Sequence, residues 1–317
     1  MRALRVHELI GPDGVRLDQV PEPDAGAGVL VAVHAAGVGF VDTLLCRGHY
    51  QVRPDLPFAP GLEVAGVVLD VPPGSALTVG QSVLGHLMAG GFAETVVLDP
   101  ALVAAQPAGV DHAQAAALVV NHQTAHVALV RRARTVAGER VLVHGAGGGL
   151  GSAAVQVAAA LGGQVLAVAG SPQRRELAAA AGAHTVYGPD EWFDAVRAGG
   201  GADVIVDPVG GDVFTRSVRC LAPEGRLLTV GFTSGEIPAA AANRLLLRNA
   251  GVLGLGWREL LTTDPTLFAA TAAALADLVA GGLRPLIGAR YELADGAAAL
   301  RAIEQRAVAG KVVLTVR

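Results

Sequence analysis

The amino-acid sequence predicts an α/β protein of two domains, one β-rich and one built on a doubly wound parallel sheet. Three observations carry this. The chain has 317 residues, beyond the size at which a single hydrophobic core usually stops growing. Its texture changes near Arg140, from short β-branched runs punctuated by Gly and Pro to a regular alternation of strand and helix. At that change stands Gly145-Ala146-Gly147-Gly148-Gly149-Leu150-Gly151, a glycine-rich turn between a strand and a helix.

In the first third, residues 29–34 alternate, and 63–71 and 93–98 are β-branched runs. Frequent turns between short strands suggest a barrel or sandwich. Residues 111–133 are alanine-rich and helical in character. From there, strands are predicted over 141–144, 164–169, 185–187, 203–206, 226–230 and 252–255, with helices between most of them. Six strands in that rhythm make a doubly wound sheet. The helix over 152–161 is built of small residues, and Ser171 followed by Pro172 is a favoured helix start. The tail holds an alanine-rich helix, a strand over 290–293, a further helix and a closing strand over 311–316. It is expected to return to the first domain, giving one domain from 1–120 with 257–317 and another from 121–256.

Composition narrows the function classes. The chain is 52% hydrophobic and 16% charged, with a net charge of −4 and a mean hydropathy of +0.47. That is globular rather than disordered, and with no basic run it offers no nucleic-acid footprint. Two cysteines, Cys46 and Cys220, are too few for a disulfide framework. They fit a reduced, cytoplasmic setting, and no signal peptide is expected after Met1-Arg2. Residues 141–173 lack any Asp, Glu, Lys or Arg. Glycines break that stretch into strand, helix and strand, so no membrane span is expected.

The glycine-rich turn points to a dinucleotide. Glycines let the backbone approach a pyrophosphate, and a helix N-terminus supplies unpaired N–H groups with about half a positive charge. The spacing here is read as Gly145, Gly148 and Gly151, against the usual GxGxxG. Ala153, Ala154 and Ala158 would let the helix lie close to the sheet. An NAD site places a carboxylate at the end of the second strand; this chain has Ala169-Gly170-Ser171, then Arg174 and Arg175. A carboxylate about 4 Å from a 2′-phosphate would cost about 4 kcal/mol at an effective dielectric of about 20. Its absence, with arginines at hand, favours NADPH.

The stretch VLVHGAGGGLGSAAVQVAAALGGQVLAVAGSPQRRELAAAAGA resembles the cofactor region of zeta-crystallin-like quinone oxidoreductases, which are zinc-free medium-chain dehydrogenases/reductases. So, in order, do GVGFVDTLLCRGHY, PGLEVAGVV, GADVIVDPVGGDVF and GKVVLTV. The resemblance implies a GroES-like catalytic domain interrupted by a Rossmann domain, with the cofactor in the cleft between them. It places Gly147, Gly148, Gly149 and Leu150 at the pyrophosphate, and Ser171 and Arg174 at the 2′-phosphate. Thr124 falls near the nicotinamide, and Gly231, Phe232, Thr233 and Ser234 along its half of the cofactor. It also implies a homodimer paired through the Rossmann edge strand near 252–255.

The chain departs from its relatives at the presumed catalytic wall. Zinc-dependent members have Cys at Gly39 and His at Leu62, which leaves Glu63 without its usual partners, so no metal is expected. Typical quinone reductases have Asn at Gly39, Tyr at Leu44 and Tyr at His126. The expected reaction is hydride transfer to a quinone or an α,β-unsaturated carbonyl compound. Tyr50 and His126 are the candidate proton donors, with water as a third source. Asp42 reads as a cap, and Cys46 as a small buried side chain. Two other functions fit the same residues: reduction of an enoyl thioester or biosynthetic intermediate, and NADPH binding without turnover by a redox-sensing or crystallin-like protein.

Overall fold

The computed structural model describes all 317 residues. They form two compact units, Met1–Val120 with Pro265–Arg317, and Asn121–Asp264. The second crossing lies beyond the predicted 256/257 boundary. The helix Trp257–Thr263 stays with the second unit, where Arg131 Nη1 pairs with Asp264 Oδ2 at 2.7 Å. No helix is long and apolar enough to cross a membrane.

The chain carries β1 (Arg2–Val6), β2 (Val15–Gln19), β3 (Val29–Val38), β4 (Glu63–Asp70), β5 (Ser82–His86), β6 (Thr95–Leu98) and β7 (Val103–Ala105). The second unit holds β8 (Arg140–Val143), β9 (Gln164–Val168), β10 (Thr185–Tyr187), β11 (Ala202–Asp207), β12 (Leu221–Thr229) and β13 (Gly251–Gly254). Back in the first unit are β14 (Ile287–Glu292) and β15 (Lys311–Thr315).

In the first unit seven strands run β14-β15-β3-β4-β5-β7, with β6 also on β3, beside the β1–β2 hairpin. Strand β3 reads VLVAVHAAGV, and eight of its ten residues are buried. It is the central strand, antiparallel to β4, β6 and β15. That position explains why its apolar residues run on nearly without alternation: both faces are covered.

A charged cluster is buried beside this strand. Lys311 Nζ donates to Glu63 Oε1 and, at 3.0 Å, to the carbonyl of Val38. The other Glu63 oxygen accepts the Val120 N–H at 2.7 Å. Gly37 makes the room, since a Cβ there would lie 2.4 Å from Glu63 Oε1. Asp42, also buried, accepts from Gly39 N–H at 2.7 Å and Gly61 N–H at 3.0 Å. It thereby closes the N-terminus of the helix Phe40–Cys46, as a cap should. Burial pushes its carboxyl up to about 7, against the pull of those two N–H groups and Lys311.

The second unit is a six-stranded parallel sheet of order β10-β9-β8-β11-β12-β13. In the unit's own numbering that is 3-2-1-4-5-6, the order of a doubly wound dinucleotide-binding sheet. The charge-free stretch 141–173 is strand, turn, helix and strand as expected. The alanine-rich stretch is helical from Asp111, whose side chain accepts from Gln114 N–H at 2.7 Å in a capping box. It includes two π-helical segments, Leu118–His122 and Val127–Arg132, which the sequence does not announce.

His144 follows β8 and is fully buried. Its Nε2 lies 2.7 Å from Ser217 Oγ, and its ring meets Trp192 edge-on at 4.6 Å. Burial, reinforced by Arg216, pushes the imidazole down to about 3.

Lys311→Met strands the Glu63 carboxylate and should cost about 3–5 kcal/mol of stability; urea unfolding should show it, and adding Glu63→Gln should restore most of the loss. For His144 the folded state refuses a proton that the unfolded chain accepts below pH about 6.5. Its contribution is therefore complete above that pH and lost as pH falls toward 3, by up to about 1.4 kcal/mol per pH unit. Asp42 works the other way, favouring the fold as pH drops through 7. Comparing His144→Leu with the parent by urea titration between pH 6 and 4 isolates the histidine: the variant's stability should fall less steeply with acid.

Candidate functional site

The backbone turns sharply after β8. Gly145 adopts φ +60°, Gly148 N–H reaches back to Gly145 O at 2.9 Å, and Ala146 N–H donates to Val168 O at 3.0 Å. The helix Gly149–Ala160 then begins with Gly148 as its N-cap, and no side chain closes it. Its first N–H groups are therefore left for a ligand, at the positive end of a twelve-residue helix.

The structure revises which glycines matter. A Cβ at Gly151 would lie 2.1 Å from Gly145 O, and one at Gly147 would lie 2.3 Å from Arg174 Cβ. A Cβ at Gly148 would meet nothing closer than Gly145 O at 3.4 Å. Gly145, Gly148 and Gly151 thus keep the turn, the N-cap and the close helix approach, and Gly147 is required as well because the helix after β9 packs on it. Ala153, Ala154 and Ala158 are wholly buried against the sheet.

That second helix, Pro172–Ala180, is capped by Ser171, whose Oγ accepts Arg174 N–H at 3.3 Å. Arg174 thus begins its side chain directly over the turn at Gly147. Arg175 Nη1 lies 3.4 Å from Gly170 O. Between β9 and this helix stand only Ala169, Gly170 and Ser171, with no carboxylate.

Residues 231–234 follow β12 and are held through their main chain. Thr233 N–H donates to Pro208 O at 3.0 Å and Ser234 N–H to Val209 O at 2.9 Å. The 207–211 segment beneath them depends on Asp207. Its Oδ1 accepts from Val209 N–H at 2.8 Å and Gly210 N–H at 3.1 Å. Its other oxygen is buried without a partner, and burial raises its pKa above the usual carboxylate range. Thr229, paired with Asp207 in register, also has a buried hydroxyl without a partner. The turn, Ser171, Asp207 and 231–234 all lie at the carboxyl ends of the parallel strands, the edge where such sheets take ligands.

The remaining candidates are dispersed. Thr124 is buried in the short α segment Gln123–His126. His126 is half-buried, and burial lowers its pKa, so at pH 7 it is neutral. Beside them Gln123 is fully buried, and neither polar atom of its amide has a partner. Tyr50 belongs to the first unit, packed against that unit's core. Sequence reasoning passed over Gln123, and it quoted Asp207 without giving it a role. The DPVGG run was the available signal for the latter. Glu63, which Gly39 and Leu62 leave without its usual zinc-ligand partners, pairs with Lys311. No group of three or more His, Cys, Asp or Glu is placed to hold a metal ion. Burial pushes the Cys46 thiol up to about 12 and Cys220 to about 11, so neither is a nucleophile at neutral pH.

Known proteins share this arrangement. Residues 25–108 match the alcohol dehydrogenase GroES-like domain, and residues 149–274 match the zinc-binding dehydrogenase family. The quinone oxidoreductase-like protein 2 of Bos taurus is 38% identical over 305 residues, covering 94% of this chain and 87% of that protein. A probable oxidoreductase from Mycobacterium abscessus superposes with a TM-score of 0.93 at 40% identity, covering 100% of this chain and 99% of that one. The quinone oxidoreductase of Thermus thermophilus, solved also in complex with NADPH, gives 0.84 at 34% identity with both chains fully covered, at 100% each. The chain therefore belongs to the quinone oxidoreductase family of the medium-chain dehydrogenases/reductases, with a GroES-like unit and a Rossmann unit.

Proposed function

We propose that this chain is an NADPH-dependent oxidoreductase that reduces a quinone or an α,β-unsaturated carbonyl compound without a metal. The observation that carries the reading is Arg174 packed on Gly147, beside an uncapped helix N-terminus and with no carboxylate after β9. Relatives named quinone oxidoreductase, one of them solved with NADPH, support it.

The residues fit the dinucleotide. The N–H groups of Gly149 and Leu150 are offered to the pyrophosphate, and the bare backbone at Gly148 leaves the approach open, while Gly147 gives its space to Arg174. Ser171 Oγ already accepts one N–H, so it offers its proton to a 2′-phosphate, with the guanidinium forks of Arg174 and Arg175 as charged partners. Thr124 and residues 231–234 serve the nicotinamide half. Bound NADPH supplies the hydride. The chain's part is to hold donor and acceptor in register, an effect able to supply about 7–11 kcal/mol. The proton comes from Tyr50, His126 or water. Burial holds His126 below its usual range, so at pH 7 it carries no extra proton to give.

The same reading includes a homodimer through the sheet edge. Strand β13 ends the sheet and its residues are only half-buried. Near it in sequence, the helix Ala242–Leu246 buries nothing, and Ile237, Leu246 and Leu247 are 81%, 77% and 76% exposed. An unpaired edge and exposed apolar side chains are what a partner strand and its flanks would cover.

Arg174→Ala should weaken NADPH about tenfold or more, the loss of one charge-assisted phosphate contact, and change NADH by less than about threefold. Calorimetric titration with both nucleotides measures this, and equal losses would remove the phosphate assignment. NADPH oxidation with a panel of quinones and enones then tests turnover. For the edge, Leu246→Asp with Leu247→Asp should halve the mass seen by light scattering, whereas an unchanged mass would place the partner elsewhere.

A further inference from the structure

Three arginines of the second unit converge on one aromatic ring. The guanidinium carbons of Arg197, Arg216 and Arg219 lie 5.3, 4.8 and 5.0 Å from the centre of the Phe193 ring. Arg216 also sits 5.1 Å from the ring of Trp192. None of the three forms an ion pair with a carboxylate, although Asp194 is next to Phe193 on the same helix. Arg197 and Arg219 are exposed, and Arg216 is half-buried.

Each arginine alone has an ordinary explanation. Arg197 and Arg216 lie in the last turns of the helices Trp192–Ala198 and Gly211–Val218, and Arg219 is the C-cap of the latter. Cations are favoured there by the helix dipole. The dipole does not explain why three cations meet at one ring with no carboxylate paired to any of them. In a chain with only 24 Lys and Arg, that gathering leaves mutual repulsion standing unless something negative joins it. Their field is felt inside the unit, where all three oppose the upward push of burial on Cys220.

We propose that Arg197, Arg216 and Arg219 form a binding site for a compact multivalent oxyanion of the pyrophosphate type, distinct from the dinucleotide turn. Guanidinium planes laid on an aromatic face keep their N–H edges outward, in the fork geometry that suits phosphate oxygens. The focus on a single ring suits a small, highly charged group rather than an extended chain. Phe193 is itself covered by guanidinium groups, so it offers no face for a base to stack on. The place is also distinct. Arg219 stands two residues before the start of β12 at Leu221, whereas the glycine turn follows the carboxyl end of β8.

Trp192 reports on the site. It is fully buried, one of two tryptophans, with Arg216 over its ring and His144 at its edge. Pyrophosphate titrated into the full chain at constant ionic strength should give a saturable change in tryptophan emission and a matching calorimetric isotherm. Orthophosphate and sulfate should bind about tenfold more weakly. Arg197→Ala with Arg219→Ala should weaken pyrophosphate about tenfold or more, while Arg174→Ala and saturating NADPH leave it unchanged. The single variants Arg197→Gln and Arg219→Gln, both at exposed positions, repeat the test with less disturbance to the fold. A response no greater than that of sulfate or chloride would overturn the proposal. So would pyrophosphate that is displaced by NADPH or lost in Arg174→Ala, since it would then belong to the glycine turn.

Discussion

Two missing side chains govern the Rossmann unit. Without a Cβ at Gly151, the helix Gly149–Ala160 can press onto the carbonyl of Gly145. Without one at Gly147, the next helix can bring Arg174 onto the same turn. These two approaches fix where the helix N-terminus points and what stands beside it. A side chain at either place would collide with backbone or with the root of an arginine, not with a flexible tip, so the turn could not yield without moving both helices. The buried alanines of the first helix extend the same logic down its length, because interiors packed this closely transmit any displacement.

The second governing feature is how a chain with few charges treats those it buries. In the GroES-like unit Glu63 has Lys311 and a backbone N–H, which satisfies the carboxylate. Asp42 has N–H partners and a more distant lysine, and its carboxyl is held near the point of taking up a proton. In the Rossmann unit His144 is kept neutral against Ser217 and Trp192. Pairing, partial protonation and full neutrality are three answers to one desolvation penalty. The answer at each place depends on how many partners the fold brings within reach.

Much of this architecture was legible in the sequence, for identifiable reasons. Strand β10, Thr-Val-Tyr between turn residues, falls on the predicted residues, and the Ser171-Pro172 cap is as read. The inner strands β8, β9 and β11 are apolar and buried on both faces, so their texture stands out. The first unit was harder. Strand β2, Val-Arg-Leu-Asp-Gln, alternates but is short and mostly exposed, and β5 is interrupted by a glycine and a histidine. Composition also does not announce that the helix Trp257–Thr263 stays with the second unit. The need for glycine at 147 was likewise hidden, since it comes from Arg174 on the next helix. Spacing within a turn does not reveal which neighbouring helix will lean on it.

The polar groups without partners mark the limit of sequence reading and also show how the site edge is built. Gln123, Asp207 and Thr229 are ordinary residues in sequence; only burial makes their open valences costly. Asp207 illustrates the consequence. One of its oxygens organises the N–H groups of Val209 and Gly210, and the carbonyls of Pro208 and Val209 in turn hold Thr233 and Ser234. The loop after β12 is thus fixed by a relay of backbone bonds that begins at one buried carboxyl. Those bonds hold the loop through its main chain, and Ser234 Oγ adds one more by accepting Glu236 N–H at 3.2 Å.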